Sequence, residues 1–144
     1  MTSEIHHAGP VSQGTMMKLV NNTLAQAGRV LVVEAIVMGA KAGLDPQRML
    51  EVIGGTTGNS AILQQTVPKL MSRDFTGIRM DITIKDMELE TQAGKALQVP
   101  MFMANVAQQV YRMAKAAGLG DEHPAAIMKV YEQMLGISLT RTVA

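Results

Sequence analysis

Cysteine and tryptophan are absent from this chain of 144 residues, and aromatic residues make up only 3% of it. Without cysteine there is neither a disulfide nor a thiolate metal site. Scarce aromatics leave core packing to aliphatic side chains and to 13 methionines, whose flexible thioethers suit irregular cores or adaptable interfaces. A charge of one sign is lacking too: 13 basic residues against 12 acidic ones leave a net charge of +1. That balance gives no electrostatic case for a nucleic acid or an acidic membrane as partner. Residues 1–9 contain no apolar segment of the signal-peptide kind. The most hydrophobic run, residues 30–38, is too short to span a bilayer and contains Glu34. A cytoplasmic protein is expected.

What is present is apolar and helical. Hydrophobic residues make up 47% and charged residues 17%, with mean hydropathy +0.13, so the chain is no disordered polymer. Its length suits one domain with a sizeable core. No run alternates convincingly as a strand would. A long helix is expected over residues 15–42, stopped by Gly43. Apolar residues surround most of its circumference, which places it at the centre of a bundle or under a partner subunit. Asp45-Pro46 opens a short helix to about residue 53. Asn59 or Ser60 caps the next, which reaches about residue 72 and is bent or restarted at Pro68. A fourth runs from residues 81–83 to Gln98, and Val99-Pro100 breaks it. A fifth covers residues 101–117, ending at Gly118. A sixth opens at Pro124 and ends near Gly136. Residues 137–144 form a loose tail or dock on a neighbour. The fold class is therefore all-α: a compact bundle of about five or six helices around a long apolar first one.

Within the first helix, Lys18 and Asn22 stand at i and i+4 and leave the same face. A cationic donor beside a neutral amide can hold and protonate an oxygen of a small polar substrate. On spacing alone the pair can equally be a snorkelling lysine and a solvated amide. The surrounding residues add to this. Gly9-Pro10-Val11-Ser12-Gln13-Gly14-Thr15-Met16-Met17-Lys18 with Asn21-Asn22 resembles the Gly-Pro-x-Gly-x-Gly-x-x-x-Lys-x-x-Asn-Asn signature of the β-hydroxyacid dehydrogenases. That family includes 3-hydroxyisobutyrate dehydrogenase and tartronate-semialdehyde reductase. The middle glycine is Ser12 here, a residue able to cap a helix but with less backbone freedom.

The resemblance runs from about residue 5 to residue 136 and implies the following. Residues 1–14 would link to a Rossmann domain missing from this chain. Residues 15–144 would be the all-α substrate-binding and dimerisation domain, similar to the C-terminal domain of 6-phosphogluconate dehydrogenase. Lys18 would be the catalytic acid/base, and Asn22 with Asn21 would bind substrate. NAD or NADP would be held mainly by the missing domain, and the substrate would be a small β-hydroxyacid or the matching semialdehyde. A homodimer is expected, with Met101, Met103 and Met113 near its contact, and no turnover by this chain alone.

Three further constellations stand in the sequence. Lys85-Asp86-Met87-Glu88-Leu89 matches a Lys-Asp-x-x-Leu pattern of the family, which implies that Lys85 reaches toward the cofactor. Read without the resemblance, Lys85 is a solvated lysine near Asp81 and Glu88. The loop Gly54-Gly55-Thr56-Thr57-Gly58-Asn59-Ser60 is either a capped turn or an anion site at a helix start. It lacks the ending of a P-loop, and no strand precedes it. The family's loop of this kind lies near the active site, which makes Asn59 and Ser60 weak candidates. His6-His7 is an adjacent pair and His123 lies alone, where the family usually has aspartate. No set of three ligands suggests a metal. The reading that competes with the enzyme is a non-catalytic helical dimerisation or interaction module.

Overall fold

The computed structural model describes residues 9, 10 and 12–139. Six helices carry the fold, and no strand occurs among the described residues. They are α1 (Gln13–Lys41), α2 (Pro46–Ile53), α3 (Ala61–Ser72), α4 (Met80–Ala96), α5 (Phe102–Ala114) and α6 (Met128–Leu135). The expected linker 1–14, the pair His6-His7 and the end of the tail lie wholly or largely outside the described residues.

α1 is 29 residues long and packs against each of the other helices. Its inner face, Val30, Val33, Ile36 and Val37, is buried. Around it gather Leu63, Val67 and Leu70 of α3, Met80, Ile84 and Met87 of α4, Tyr111 of α5 and Met128 of α6. Gly28 lets α3 come close: a Cβ there would sit 3.2 Å from the Ile62 side chain. By length and composition α1 could cross a membrane. A third of that apolar stretch is buried inside the bundle, Val33 and Ile36 fully so.

The punctuation follows the sequence closely. Gly43 is in the left-handed region (φ 90) just past the end of α1. Asp45 accepts a 2.9 Å hydrogen bond from Arg48 N–H and precedes Pro46, while Ser60 accepts from Leu63 N–H at 3.1 Å. α3 continues through Pro68 without restarting, with that residue exposed. Three details differ from expectation. α5 stops at Ala114, and a π turn (Lys115–Leu119) carries the chain to the left-handed Gly118. Pro124 opens a 3-10 turn (Pro124–Ile127) that leads into α6. Leu139 is buried in its own domain, its N–H donating to Glu132 at 2.7 Å, so the start of the tail is neither loose nor docked elsewhere.

Ser12 occupies the N-cap position of α1 but makes no side-chain cap. Its φ of 86 lies in the left-handed region, which favours glycine over a residue with a Cβ. The serine therefore replaces a glycine at the place where glycine has a backbone reason to be.

α5 is tied to the centre by Tyr111, which is fully buried and donates to the Gln26 carbonyl at 2.7 Å. Burial pushes its hydroxyl up to about 12, so it stays neutral. Tyr111→Phe should lower unfolding free energy by about 1–2 kcal/mol, the loss of one buried hydrogen bond. Urea denaturation with an unchanged m-value would measure it.

Candidate functional site

Lys18 lies on the end of α1 that other helices do not cover. Residues 12–18 are all exposed, and Gln26 is the first buried side chain along the helix. Lys18, Asn22, Gln26 and Arg29 recur at i, i+4, i+8 and i+11, one stripe on an α-helix. Along it the surroundings pass from solvent at Lys18, through half-buried Asn22, to Gln26 at 7% exposure. Asn21 turns elsewhere. It lines a groove of about 740 Å³ together with Gly28, Leu31, Ile62 and Ser60. The two asparagines thus serve different faces, as adjacent helical residues must.

Lys85 is exposed on α4 between Ile82 (46% exposed) and Leu89 (49% exposed). Among the described residues the side chains of Lys18, Asn21, Asn22 and Lys85 make no hydrogen bond or ion pair. The solvated pairing of Lys85 with Asp81 or Glu88 does not form. Asp81 binds Lys115 and Arg79, and Glu88 binds Arg112. The ion pairs with Lys115, then Arg79, hold the Asp81 carboxyl below its ordinary value. Lys18 and Lys85 stand on separate helices, α1 and α4, which a contact between Thr23 and Glu90 ties at 3.0 Å.

The glycine-rich loop is engaged in local bracing. Asn59 donates to Gly54 O at 2.9 Å and accepts from Gln64 Nε2 at 2.8 Å, while Ser60 caps α3. Thr56 donates to Ile53 O at 3.0 Å. These bonds favour the capped turn over an anion cradle, although Ser60 still borders the groove that Asn21 lines.

His123 has a structural task. Its Nδ1 accepts from Ala125 N–H at 3.1 Å, capping the turn that opens at Pro124, and its own N–H donates to Phe75 O at 2.7 Å. An aspartate at this place would accept the same kind of hydrogen bond. Among the described residues no three His, Cys, Asp or Glu side chains stand together to hold a metal.

Sequence reasoning did not single out the polar groups at the inner end of the stripe and beside it: buried Gln26, Glu90 and Tyr111, and half-buried Thr23 and Arg29. The signal was present at Glu90, which continues the buried face of α4 through Met80, Thr83, Met87 and Gly94. A glutamate in register with an apolar face is anomalous and marks a special environment.

Residues 12–131 match a family described as NAD-binding of NADP-dependent 3-hydroxyisobutyrate dehydrogenase. The chain belongs to that family. A 2-(hydroxymethyl)glutarate dehydrogenase of Eubacterium barkeri is 40% identical over 139 residues, covering 95% of this chain and 46% of the relative. An L-threonate dehydrogenase of Cupriavidus necator is 29% identical, covering 82% of this chain and 40% of the relative. A solved 3-hydroxyisobutyrate dehydrogenase from Salmonella typhimurium superposes with a TM-score of 0.78 at 28% identity, over 82% of this chain and 42% of that one. The chain therefore spans less than half the length of these relatives.

Family membership carries NAD(P) use. It also shifts an expectation. The matched region is described by NAD binding, whereas the sequence reading gave this region chiefly to substrate and the cofactor mainly to another domain. A Rossmann domain requires a parallel sheet. No strand occurs among the described residues, so any cofactor contact made here uses helices and the loops between them.

Burial, with the positive charge of Arg29 and Lys69, pushes the His123 imidazole down to about 4 against the opposing pull of Asp74. The unfolded chain then binds more protons than the folded one between pH 6.5 and pH 4, so stability falls as pH falls through that window. His123→Asn keeps a capping acceptor and does not titrate. The native chain should lose on the order of 2–3 kcal/mol more than His123→Asn between those pH values, read by urea titrations at each pH.

Proposed function

We propose that this chain is the substrate-binding and dimerisation part of an NAD(P)-dependent β-hydroxyacid dehydrogenase or semialdehyde reductase. It would be cytoplasmic, follow a Rossmann domain and have the fold of the 6-phosphogluconate dehydrogenase C-terminal domain. The observation that carries the reading is the stripe that begins with Lys18 and Asn22, on the one end of α1 left free of the bundle, in a chain of this family. The relatives above are named for 2-(hydroxymethyl)glutarate, L-threonate and 3-hydroxyisobutyrate, each a small acid bearing hydroxyl. A substrate of that class fits a cation and amides at the mouth of a cleft.

The surface around Lys85 fits one edge of a dinucleotide. A free ammonium flanked by exposed Ile82 and Leu89 can take a phosphate charge and the flat side of a ring. When bound, the nicotinamide supplies or accepts the hydride. The chain's own residues manage the rest. Lys18 Nζ takes the hydroxyl proton during oxidation or returns it to the oxygen during reduction. Its charge also stabilises the developing oxyanion. Asn22, one turn on, holds the hydroxyl or carboxylate in line, with Asn21 at the groove beside it.

The dimer reading rests on bare apolar surface. Leu24, Leu31 and Met38 recur every seven residues along the outside of α1 and are 71%, 67% and 71% exposed. On one side of this ridge runs the groove shared with Ile53 and Ile62. On the other runs a groove of about 530 Å³ lined by Phe102, Met103 and Val106. A ridge between two grooves is self-complementary for a second copy related by a two-fold axis.

Two experiments test the proposal. Joined to a cognate Rossmann domain, Lys18→Ala should lower turnover by ~10²–10⁴-fold with a smaller effect on substrate KM. Equal semialdehyde reduction with and without Lys18 would remove the enzymatic reading and leave a helical interaction module. In sedimentation the 144-residue chain should be a dimer at high micromolar concentration, and Leu31→Glu should make it monomeric without loss of helical circular dichroism. A monomeric native chain would refute the interface.

A further inference from the structure

Glu90 is buried at 2% exposure in a chain otherwise thrifty with buried charge. It forms no ion pair among the described residues. Its Oε1 has no hydrogen-bond partner among the described residues. Its Oε2 lies 3.0 Å from Thr23 Oγ1 on α1. The same Thr23 oxygen lies 2.9 Å from the carbonyl of Leu19, one turn back on its own helix. A hydroxyl has one proton, and a backbone carbonyl can only accept. If Thr23 gives its proton to Leu19, the contact with Glu90 is a hydrogen bond only when Glu90 supplies the proton. A carboxylate would instead set two acceptors against each other and leave a charged oxygen bare in the core.

We propose that Glu90 is a neutral carboxylic acid that donates to Thr23, forming a latch that seats α1 on α4 directly behind Lys18 and Asn22. The relay runs from Glu90 O–H to Thr23 Oγ1, and from Thr23 O–H to Leu19 O. Leu19 and Thr23 are the sequence neighbours of Lys18 and Asn22, so the latch sets where the uncovered end of α1 leaves the bundle. Glu90 is a positioning residue in this scheme, and it acts whether or not the chain is an enzyme.

The charges around it agree. Desolvation raises the Glu90 carboxyl above its ordinary value, and Asp86 on its own helix adds to the rise, against the effect of Thr23. Tyr111 of α5 interacts with both Glu90 and Arg29 but is itself neutral. Arg29 of α1 makes no ion pair with Glu90. For a carboxyl raised on folding, the contribution to stability is complete below the ordinary glutamate value of 4.5 and is lost as pH rises through the raised value.

The test uses the 144-residue chain with carbon-13 at the glutamate carboxyl groups. The Glu90 resonance, assigned by its absence in Glu90→Gln, should titrate above the ordinary glutamate range. A midpoint within or below that range overturns the proposal. Hydrogen exchange of amides 19–26, corrected for its intrinsic pH dependence, supplies the second readout. Protection in the native chain should fall about fivefold as Glu90 loses its proton, the effect of one net hydrogen bond. Glu90→Gln, which keeps a donor for Thr23 and cannot ionise, should retain that protection at every pH. Equal loss in both proteins overturns the latch. Should Glu90→Gln not fold, assignment by neighbouring backbone resonances leaves the native titration to decide alone.

Discussion

Val33 and Ile36 are wholly buried, while Leu31 and Met38 on the same helix are mostly exposed. This asymmetry of α1 governs the rest of the structure. A 29-residue helix is too long for the other five to surround, and their short connections keep them on one side of it. Burial of the inner face supplies the hydrophobic term that orders the bundle. The outer face is left with a row of leucine and methionine in water, an arrangement that a solvated monomer rarely keeps.

The same geometry separates the core from the stretch proposed to carry the chemistry. From Gln26 onward, the inner face of α1 is core; before it, the helix carries Lys18 and Asn21 into solvent, with Asn22 half-buried. Substitutions on that projecting stretch should disturb the bundle little, which is a useful property for a segment whose side chains must meet a ligand. Between the two regions lies a short polar transition, Thr23 with Glu90 and Gln26 with Tyr111. Such groups are directional where aliphatic packing is not, so they fix the rotation of α1 as well as its position.

Much of this was legible in the residues. Asp45-Pro46, Ser60, Gly43 and Gly136 mark helix boundaries because their backbone and capping chemistry is local. Periodicity identified α1 as apolar nearly all round, but which half meets the bundle depends on contacts distant in sequence. The π turn after Ala114 was not legible either, since residues 115–117 are good helix formers and the break comes from Gly118 and the tether of Lys115 to Asp81. At the site, spacing gave the shared face of Lys18 and Asn22. It could not give the divergence of Asn21 into the groove, nor the capping role that accounts for histidine at position 123. Glu90 was visible as a letter and not as a partner, because Thr23 lies 67 residues away.

Exposure of Lys18 sets a condition on the proposed chemistry. Burial disfavours the charged form of an amine, and a water-poor cleft also strengthens the field that an ammonium exerts on an oxyanion. Nothing in the described part of this chain buries Lys18. The desolvation must come from whatever covers the free end of α1, together with the substrate. Under the proposed function, catalytic competence is then a property of the assembled protein: the lysine is held ready by the helix, and the covering surface makes it a base. This explains why an unpaired lysine can sit at the exposed end of an otherwise apolar helix without a partner of its own. An ion pair there would hold the charged form and oppose proton transfer.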